Sequence, residues 1–371
     1  MLKIGINALY LIPGAVGGTE IYLRELLKAL AQIDRENEYF VFRNLETGAD
    51  LTPHAANFHD TPQCLHARFR PARILWEQTI LPLEASRYRL DVLFNPGFTA
   101  PVFAPCPCVT TFHDLQHKRH PEHFRWFDLP FWNVLLWASA RTARRLIADS
   151  QATGADLERF YPFTRDRVRV VPLGVERAFF SLDRSRVENV VLCVSTLHPH
   201  KNIGRLIRAF AAWKSDSRLV LAGMRGFQTA QIESLIRELA LKDRVQLTGW
   251  IPRRDLLGWY ARARAFVYPS TFEGFGIPVL EALAAGIPVA CSEIAPLREV
   301  AGDAALYFDP ANEEQIAAAL ARVTRDETLR IRLTVDGPLR ARMFSWEETA
   351  RLTREALVTS PSSASAVRRG S

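Results

Sequence analysis

The sequence predicts an α/β protein made of two doubly wound parallel-sheet domains that face a central cleft. Short apolar runs of strand length alternate with longer amphipathic stretches, as in parallel sheets covered by helices. At 371 residues the chain is too long for one ordinary core. The alternation breaks once, at Pro172-Leu173-Gly174, which places the first domain at 1–172 and the second at 173–345.

Each domain contains six predicted strands. In the first domain we expect strands at Leu2–Asn7, Tyr39–Phe42, Val92–Asn95, Val109–Phe112, Leu146–Asp149 and Val168–Val171, with helices at Thr19–Ile33, Ile74–Tyr88, Leu129–Arg145 and Ala152–Phe160. In the second we expect strands at Val190–Ser195, Arg218–Ala222, Val245–Thr248, Ala265–Tyr268, Pro288–Cys291 and Ala305–Phe308. A helix at 346–358 is expected to pack back toward the first domain, and the Ser-rich segment 359–371 to be disordered.

Composition limits the partners and the compartment. The 47 basic and 40 acidic side chains are interleaved, and no nucleic-acid-binding motif accompanies them, so we expect no nucleic-acid partner. The five cysteines are odd in number and lie mostly in apolar runs, which does not suit a disulfide framework. Without a basic segment ahead of the N-terminal apolar run, the sequence predicts a cytoplasmic protein.

The first loop that could hold a ligand follows the first strand. Gly17 and Gly18 open a helix there, and helix N-terminal amides favour an anion such as phosphate. Two glycines let such a group approach the backbone. The alternative is a flexible loop capped by Thr19.

The second loop places His113 and Asp114 at the carboxyl end of a strand. A histidine there could donate a hydrogen bond or act as an acid or base, oriented by a neighbouring carboxylate. Three further histidines follow, at His117, His120 and His123. This spacing could bind zinc if the segment were helical, but Pro121 interrupts it. We therefore predict no metal site and interpret the histidines as a cluster at the surface or at the edge of the core.

The third and fourth loops belong to the second domain. Lys201 precedes a helix and is well set to meet a diphosphate, although a solvated lysine is the commoner fate of such a residue. In the fourth loop Glu273 precedes a helix that contains Glu281, so that two carboxylates could face one ligand from different elements. The alternative is that Glu281 pairs with an arginine and Glu273 faces solvent.

These four segments together resemble the family-4 retaining glycosyltransferases of the GT-B fold, which have two Rossmann-like domains. Glu273 and Glu281 are similar to that family's E-x7-E signature, and Pro199-His200-Lys201-Asn202 falls in the expected order. The resemblance implies that Glu273 binds donor-sugar hydroxyls, Glu281 the ribose and Lys201 the diphosphate. It implies that Gly17 and Gly18 lie under the donor phosphate and the acceptor, and that His113 is a catalytic residue that hydrogen-bonds the donor sugar near the reacting carbon. The backbone amides of Gly274, Phe275, Gly276 and Ile277 would add to the grip on the donor. The family often has a second basic residue before this lysine, but His200 and Ser195 occupy those places here.

The implied reaction transfers a hexose from a nucleotide diphosphate sugar with retention of configuration and without a metal or other cofactor. Similarity around Ile74-Leu75-Trp76-Glu77-Gln78 favours mannose, hence GDP-mannose, and a role in surface polysaccharide or lipopolysaccharide synthesis. The acceptor would be a saccharide or a polyprenyl-diphosphate-linked saccharide. A nucleotide-sugar epimerase and a non-catalytic sugar-nucleotide-binding protein are the alternatives.

Aromatic and basic residues cluster near the predicted helix Leu129–Arg145. Phe127, Phe131, Trp132 and Trp137 precede Arg141, a combination found in helices at membrane surfaces. Packing on a sheet accounts for the same apolar density. The sequence therefore leaves open a peripheral contact with an anionic membrane at the inner face of the cell membrane.

Overall fold

The computed structural model describes residues 1–358, which form two parallel-sheet units. The first unit contains Met1–Gly174 and the described residues from Trp346 onward, and the second is Val175–Ser345. All strand pairings are parallel in both sheets of the described chain, which confirms the predicted α/β class. The tail predicted at 359–371 lies outside the described residues.

The first unit is built on a seven-stranded sheet in the order β3-β2-β1-β4-β5-β6-β7. Its strands are β1 (Lys3–Ala8), β2 (Glu38–Arg43), β3 (Phe58–Pro62), β4 (Val92–Asn95), β5 (Cys108–Phe112), β6 (Arg145–Ala148) and β7 (Val168–Val170). Its first five helices are α1 (Gly18–Ile33), α2 (Arg70–Arg87), α3 (Gln116–Arg119), α4 (Leu129–Thr142) and α5 (Gln151–Phe160). The central strands are buried on both faces, which explains their continuous apolar runs.

The second unit has a six-stranded sheet in the order β10-β9-β8-β11-β12-β13. Its strands are β8 (Val190–Val194), β9 (Arg218–Ala222), β10 (Val245–Gly249), β11 (Ala265–Tyr268), β12 (Val289–Ser292) and β13 (Leu306–Phe308). Its helices are α6 (Ile203–Ala212), α7 (Thr229–Glu238), α8 (Arg253–Arg262), α9 (Ile277–Ala284), α10 (Ala295–Ala301), α11 (Glu313–Arg325) and α12 (Glu327–Ala341). One continuous apolar core joins this sheet to α6, α7, α11 and α12.

The last described helix, α13 (Trp346–Val358), belongs to the first unit, where it packs against α1. Two long-range hydrogen bonds hold it there. Thr349 Oγ1 donates to the Pro172 carbonyl at 2.7 Å, and Arg144 Nη2 donates to the Leu357 carbonyl at 2.7 Å. None of the helices within residues 1–358 has the length and apolarity needed to cross a bilayer.

Candidate functional site

In the second unit, Lys201 and Glu273 follow two strands that lie side by side. The sheet order reverses between β8 and β11, and the loops after these strands leave in opposite directions along the sheet. Ligands of open parallel sheets bind beyond the carboxyl ends of the strands at such a reversal. The two residues therefore lie where the fold itself provides a crevice.

Lys201 and Glu273 form an ion pair in this loop region. The Lys201 Nζ lies 2.7 Å from Glu273 Oε1 and 3.2 Å from the hydroxyl of Tyr268. Both side chains are mostly buried, with 15% and 10% of their surfaces exposed. Glu273 is thus not the solvent-facing residue of the alternative interpretation, and Lys201 is not a freely solvated lysine.

Hydrogen bonds to backbone carbonyls join the two loops. The Thr271 amide donates to the His200 carbonyl at 2.8 Å, and Asn202 Nδ2 donates to the Pro269 carbonyl at 3.1 Å. Asn202 adopts a left-handed conformation (φ 58°) just before α6, which a short side chain that bonds locally tolerates. These links fix Lys201 against Glu273 before any ligand binds.

The segment between Glu273 and α9 contains two glycines, Gly274 and Gly276. Gly276 lies at φ 117°, a region that side chains rarely adopt, and a Cβ there would come within 2.5 Å of Leu297. Ile277 opens the helix and Pro278 occupies its first turn, as predicted. Phe275 packs its ring against Phe344 at 5.9 Å, so only its backbone remains for a ligand.

Glu281 lies one turn inside α9 and is 2% exposed. Its Oε1 lies 2.5 Å from Arg253 Nη2, and its Oε2 accepts a hydrogen bond from the Tyr260 hydroxyl at 2.7 Å. Arg253 also contacts Glu176, with Nε to Oε1 at 2.8 Å. Burial opposes the charge of Arg253, but Glu281 and Glu176 hold its pKa above the usual value. The structure therefore gives Glu281 the arginine partner that the alternative interpretation named.

In the first unit, Gly17 and Gly18 form the start of α1. Gly17 has φ 61° and precedes the helix, and the Thr19 hydroxyl donates backward to the Val16 carbonyl at 2.8 Å. Thr19 therefore does not cap the helix amides. The loop is ordered by Glu20, whose Oε2 accepts from the Gly14 amide at 2.8 Å.

His113 follows β5 and is 8% exposed. Its Nδ1 lies 2.7 Å from Asp149 Oδ2, and its Nε2 lies 2.8 Å from the Pro96 carbonyl oxygen. Burial disfavours protonation of this ring, but Asp149 more than offsets it and raises the pKa of His113. These two contacts hold the ring between the loops that follow β4 and β6.

The carboxylate that orients His113 is therefore not its neighbour in sequence. Asp114 Oδ1 accepts the Gln116 amide at 2.9 Å instead. Asp149 stands 36 residues later in the chain. Its position directly after a buried strand, at the same sheet edge as His113, is the signal that could have identified it.

The other histidines of this region, His117, His120 and His123, contact other residues than His113 does. His117 Nε2 lies 3.0 Å from the Tyr161 hydroxyl, and burial lowers the pKa of His117 to about 4. His120, Glu122 and His123 have ligand atoms within 4.8 Å of one another. The sequence interpretation overlooked Glu122 as a carboxylate near these histidines.

Sequence reasoning also missed Arg253 and Tyr268. Arg253 opens a helix after β10, and Tyr268 ends β11 directly ahead of the Glu273 loop. Both follow or end a strand at the carboxyl edge of the sheet, a position that predicts proximity to a ligand. Tyr268 was not recognised as a site residue because it ends an apolar run, which indicates a buried strand.

Family comparisons agree with this arrangement in both units. Residues 175–339 match the family described as "Glycosyl transferases group 1", and residues 16–179 match "Glycosyltransferase Family 4". The chain belongs to these glycosyltransferase families. The first match contains Lys201, Glu273 and Glu281, and the second contains His113.

Individual relatives support the same assignment. The O-antigen chain mannosyltransferase B of Escherichia coli is 30% identical over 356 residues, covering 88% of this chain and 92% of that protein. The O-antigen chain mannosyltransferase RfbU of Salmonella typhimurium is 28% identical over 213 residues, covering 57% and 60%. The sucrose-phosphate synthase structure from Thermosynechococcus elongatus has a TM-score of 0.77 at 22% identity, covering 96% and 98%. This glycosyltransferase thus has the GT-B fold of two Rossmann-like parallel-sheet domains.

Proposed function

We propose that this glycosyltransferase transfers a mannosyl residue from GDP-mannose to a saccharide acceptor in the synthesis of a cell-surface polysaccharide such as lipopolysaccharide. The observation that carries the proposal is the Lys201–Glu273 pair at the sheet reversal of the second unit. The choice of mannose is supported by the names of the two O-antigen relatives. It also agrees with the similarity around Trp76.

The donor site would lie at the carboxyl edge of the second sheet. Lys201 would bind the diphosphate and Glu273 the sugar hydroxyls, with the amides of Gly274 and Gly276 nearby. The ion pair orients the lysine before the donor arrives. Glu281 would reach the ribose with Arg253 and Tyr260 fixing its carboxylate from the other side.

The chemistry would depend on charge rather than on a protein nucleophile. Breaking the bond between the anomeric carbon and phosphate leaves negative charge on the diphosphate and positive charge on the sugar ring. Lys201 and the N-terminal amides of α6 and α9 would stabilise the developing negative charge, a role for which other enzymes use a metal. We therefore infer a metal-independent reaction in which the acceptor attacks the face that the phosphate leaves, so that the anomeric configuration is retained.

The acceptor would bind the first unit, near Gly17, Gly18 and His113. Because both ring nitrogens of His113 are engaged, its side chain would orient the surrounding loops. Its carbonyl, which accepts from Thr153 Oγ1 at 3.3 Å, would also meet the donor sugar. A polyprenyl-diphosphate-linked saccharide suits this role. Such an acceptor would place the enzyme at the cytoplasmic face of the cell membrane.

A surface of the first unit fits this membrane contact. Helix α4 buries Leu135 and Leu136 on one side and exposes aromatic and aliphatic residues on the other. We use the name α4 surface for the exposed residues of this helix together with two that precede it: Trp126, Phe127, Phe131, Val134 and Trp137. Arg125 lies 5.9 Å over the Phe127 ring, and cations beside exposed aromatics suit an anionic lipid surface.

The proposed function is tested by incubating the purified enzyme with a panel of radiolabelled nucleotide sugars and a polyprenyl-diphosphate disaccharide in excess chelator. We expect transfer from GDP-mannose, with NMR of the product showing the same anomeric configuration as the donor. Loss of transfer in chelator would contradict metal independence, and an inverted product would contradict retention. Formation of a new nucleotide sugar without acceptor would show an epimerase instead.

A further inference from the structure

The first unit also has a sheet reversal, and a buried polar cluster lies there. The reversal falls between β1 and β4, where Asn7 Nδ2 donates to Asn95 Oδ1 at 3.1 Å. Helix α2 contributes Glu77, which is 1% exposed and whose Oε2 accepts from the Thr99 hydroxyl at 3.0 Å. This is the position at which open parallel sheets bind ligands.

Arg73 belongs to this cluster and is 9% exposed. Its guanidinium makes no hydrogen bond and no ion pair with any residue of the described chain. The Nε is enclosed without a partner, whereas the two terminal nitrogens are not enclosed. A buried charged donor without an acceptor is energetically unfavourable. The terminal nitrogens of Arg73 are thus available to an acceptor group from outside the described chain.

The neighbouring carboxylate, that of Glu77, does not meet this need. Glu77 stands one helical turn after Arg73 and attracts it, but no ion pair forms between them within the described residues. Burial raises the pKa of Glu77, which weakens its compensation of the Arg73 charge.

We propose that Arg73 binds a phosphate group of the acceptor through its terminal nitrogens. A planar guanidinium matches two oxygens of a phosphate, and such charge-assisted pairs are the strong ones. This site deepens the proposed function, because it names the chemistry that the acceptor presents to the first unit. The phosphate could come from a lipid-linked diphosphate or from a water-soluble phosphate, which share this chemistry.

The test measures binding in a Lys201→Ala background, which removes the other proposed phosphate contact. Isothermal titration is carried out with farnesyl diphosphate, inorganic diphosphate and farnesol. We expect Arg73→Gln to weaken binding of farnesyl diphosphate at least tenfold and to leave farnesol binding unchanged. Arg68→Gln removes an exposed charge just before α2 and should change affinity less than twofold. Equal effects of the two substitutions, or equal loss for farnesol, would overturn the proposal.

Two further variants separate binding from folding. Arg73→Lys keeps the charge and should retain part of the affinity, and Glu77→Gln should bind inorganic diphosphate as tightly as the parent or more tightly. Weaker binding by Glu77→Gln at an unchanged melting temperature would contradict the proposal. If inorganic diphosphate binds as well as farnesyl diphosphate, a soluble phosphate suffices; if only the lipid binds, the acceptor is lipid-linked.

A separate measurement tests whether the phosphate that Arg73 binds belongs to the donor rather than to the acceptor. With Lys201 intact, Arg73→Gln should leave the affinity for GDP unchanged. A loss of GDP affinity as large as the loss for farnesyl diphosphate would assign the phosphate to the donor and would overturn the acceptor site. Because these are binding measurements, they can succeed even where the transfer assay of the proposed function fails.

Discussion

At the scale of single residues, Lys201 and Glu273 form an ion pair in a largely buried position of the second unit. Lys201 also donates a hydrogen bond to the Tyr268 hydroxyl. Under the proposed function, an arriving diphosphate would compete with Glu273 for the lysine and would free the carboxylate for sugar hydroxyls.

Substitution of these residues should separate turnover from binding. We expect Lys201→Ala to lower kcat by about 100-fold to 1000-fold, as for other groups that stabilise developing negative charge. Glu273→Ala should also approach background transfer, whereas Glu281→Ala should mainly weaken donor affinity. Steady-state kinetics and titration calorimetry with GDP-mannose distinguish these effects. Lys214→Ala, an exposed lysine just beyond α6, is the matched control, and wild-type rates in all three variants would refute the assignment.

The His113–Asp149 pair should make stability depend on pH. The pKa of His113 is raised in the folded state, so its contribution is fully present below about pH 6.5, the usual histidine value, and is lost as pH rises through the folded pKa. We expect the difference in melting temperature between the wild type and His113→Gln to be larger at pH 5.5 than at pH 8.5. The exposed His54→Gln should show no such dependence. A difference in melting temperature that grows as pH rises would mean that Asp149 does not stabilise the protonated form of His113.

At the scale of elements, α9 and α4 differ in their exposure. Gly276 directly precedes α9 with φ 117°, and the helix itself is buried from Val279 to Ala284. Helix α4 instead packs one side and leaves its aromatic side exposed. Under the proposed function, the start of α9 would face the donor diphosphate and the exposed side of α4 would contact a membrane.

The α4 surface should bind anionic membranes. We expect the wild type to sediment with vesicles that contain phosphatidylglycerol but not with pure phosphatidylcholine, and added salt should weaken the binding. The triple substitution Trp126→Ser, Phe127→Ser and Phe131→Ser should reduce binding at least tenfold, because each buried aromatic contributes about 1.5–3 kcal/mol. Phe227→Ser removes an exposed aromatic of the second unit and is the control. Absence of sedimentation by the wild type would contradict a membrane role for this surface.

At the scale of the whole molecule, much of the fold could be predicted from local pattern. β4, β9 and β11 have the predicted bounds, because continuous apolar runs identify strands that are buried on both faces. β3 escaped prediction since its sequence Phe58–Pro62 is short, mixed in polarity and pairs at the edge of the sheet. Helix α4 ends at Thr142 rather than Arg145, because Arg145 already begins β6.

The candidate site could be predicted only in part. Loop positions follow from strand ends, so Lys201 and Glu273 could be placed near each other. Partners such as Asp149 and Arg253 could not, because their contacts depend on how loops and helices from distant parts of the sequence come together. The same holds for Arg73, whose burial no local pattern reveals.

Helix α13 gives the first unit a discontinuous sequence, since residues 175–345 are inserted before its last helix. On the ribosome, α1 therefore emerges more than 300 residues before the helix that covers it. Its apolar flank stays uncovered while the entire second unit is being translated. Nascent chains of this enzyme should consequently depend on chaperones until synthesis is nearly finished, and the N-terminal unit should mature last although it is made first.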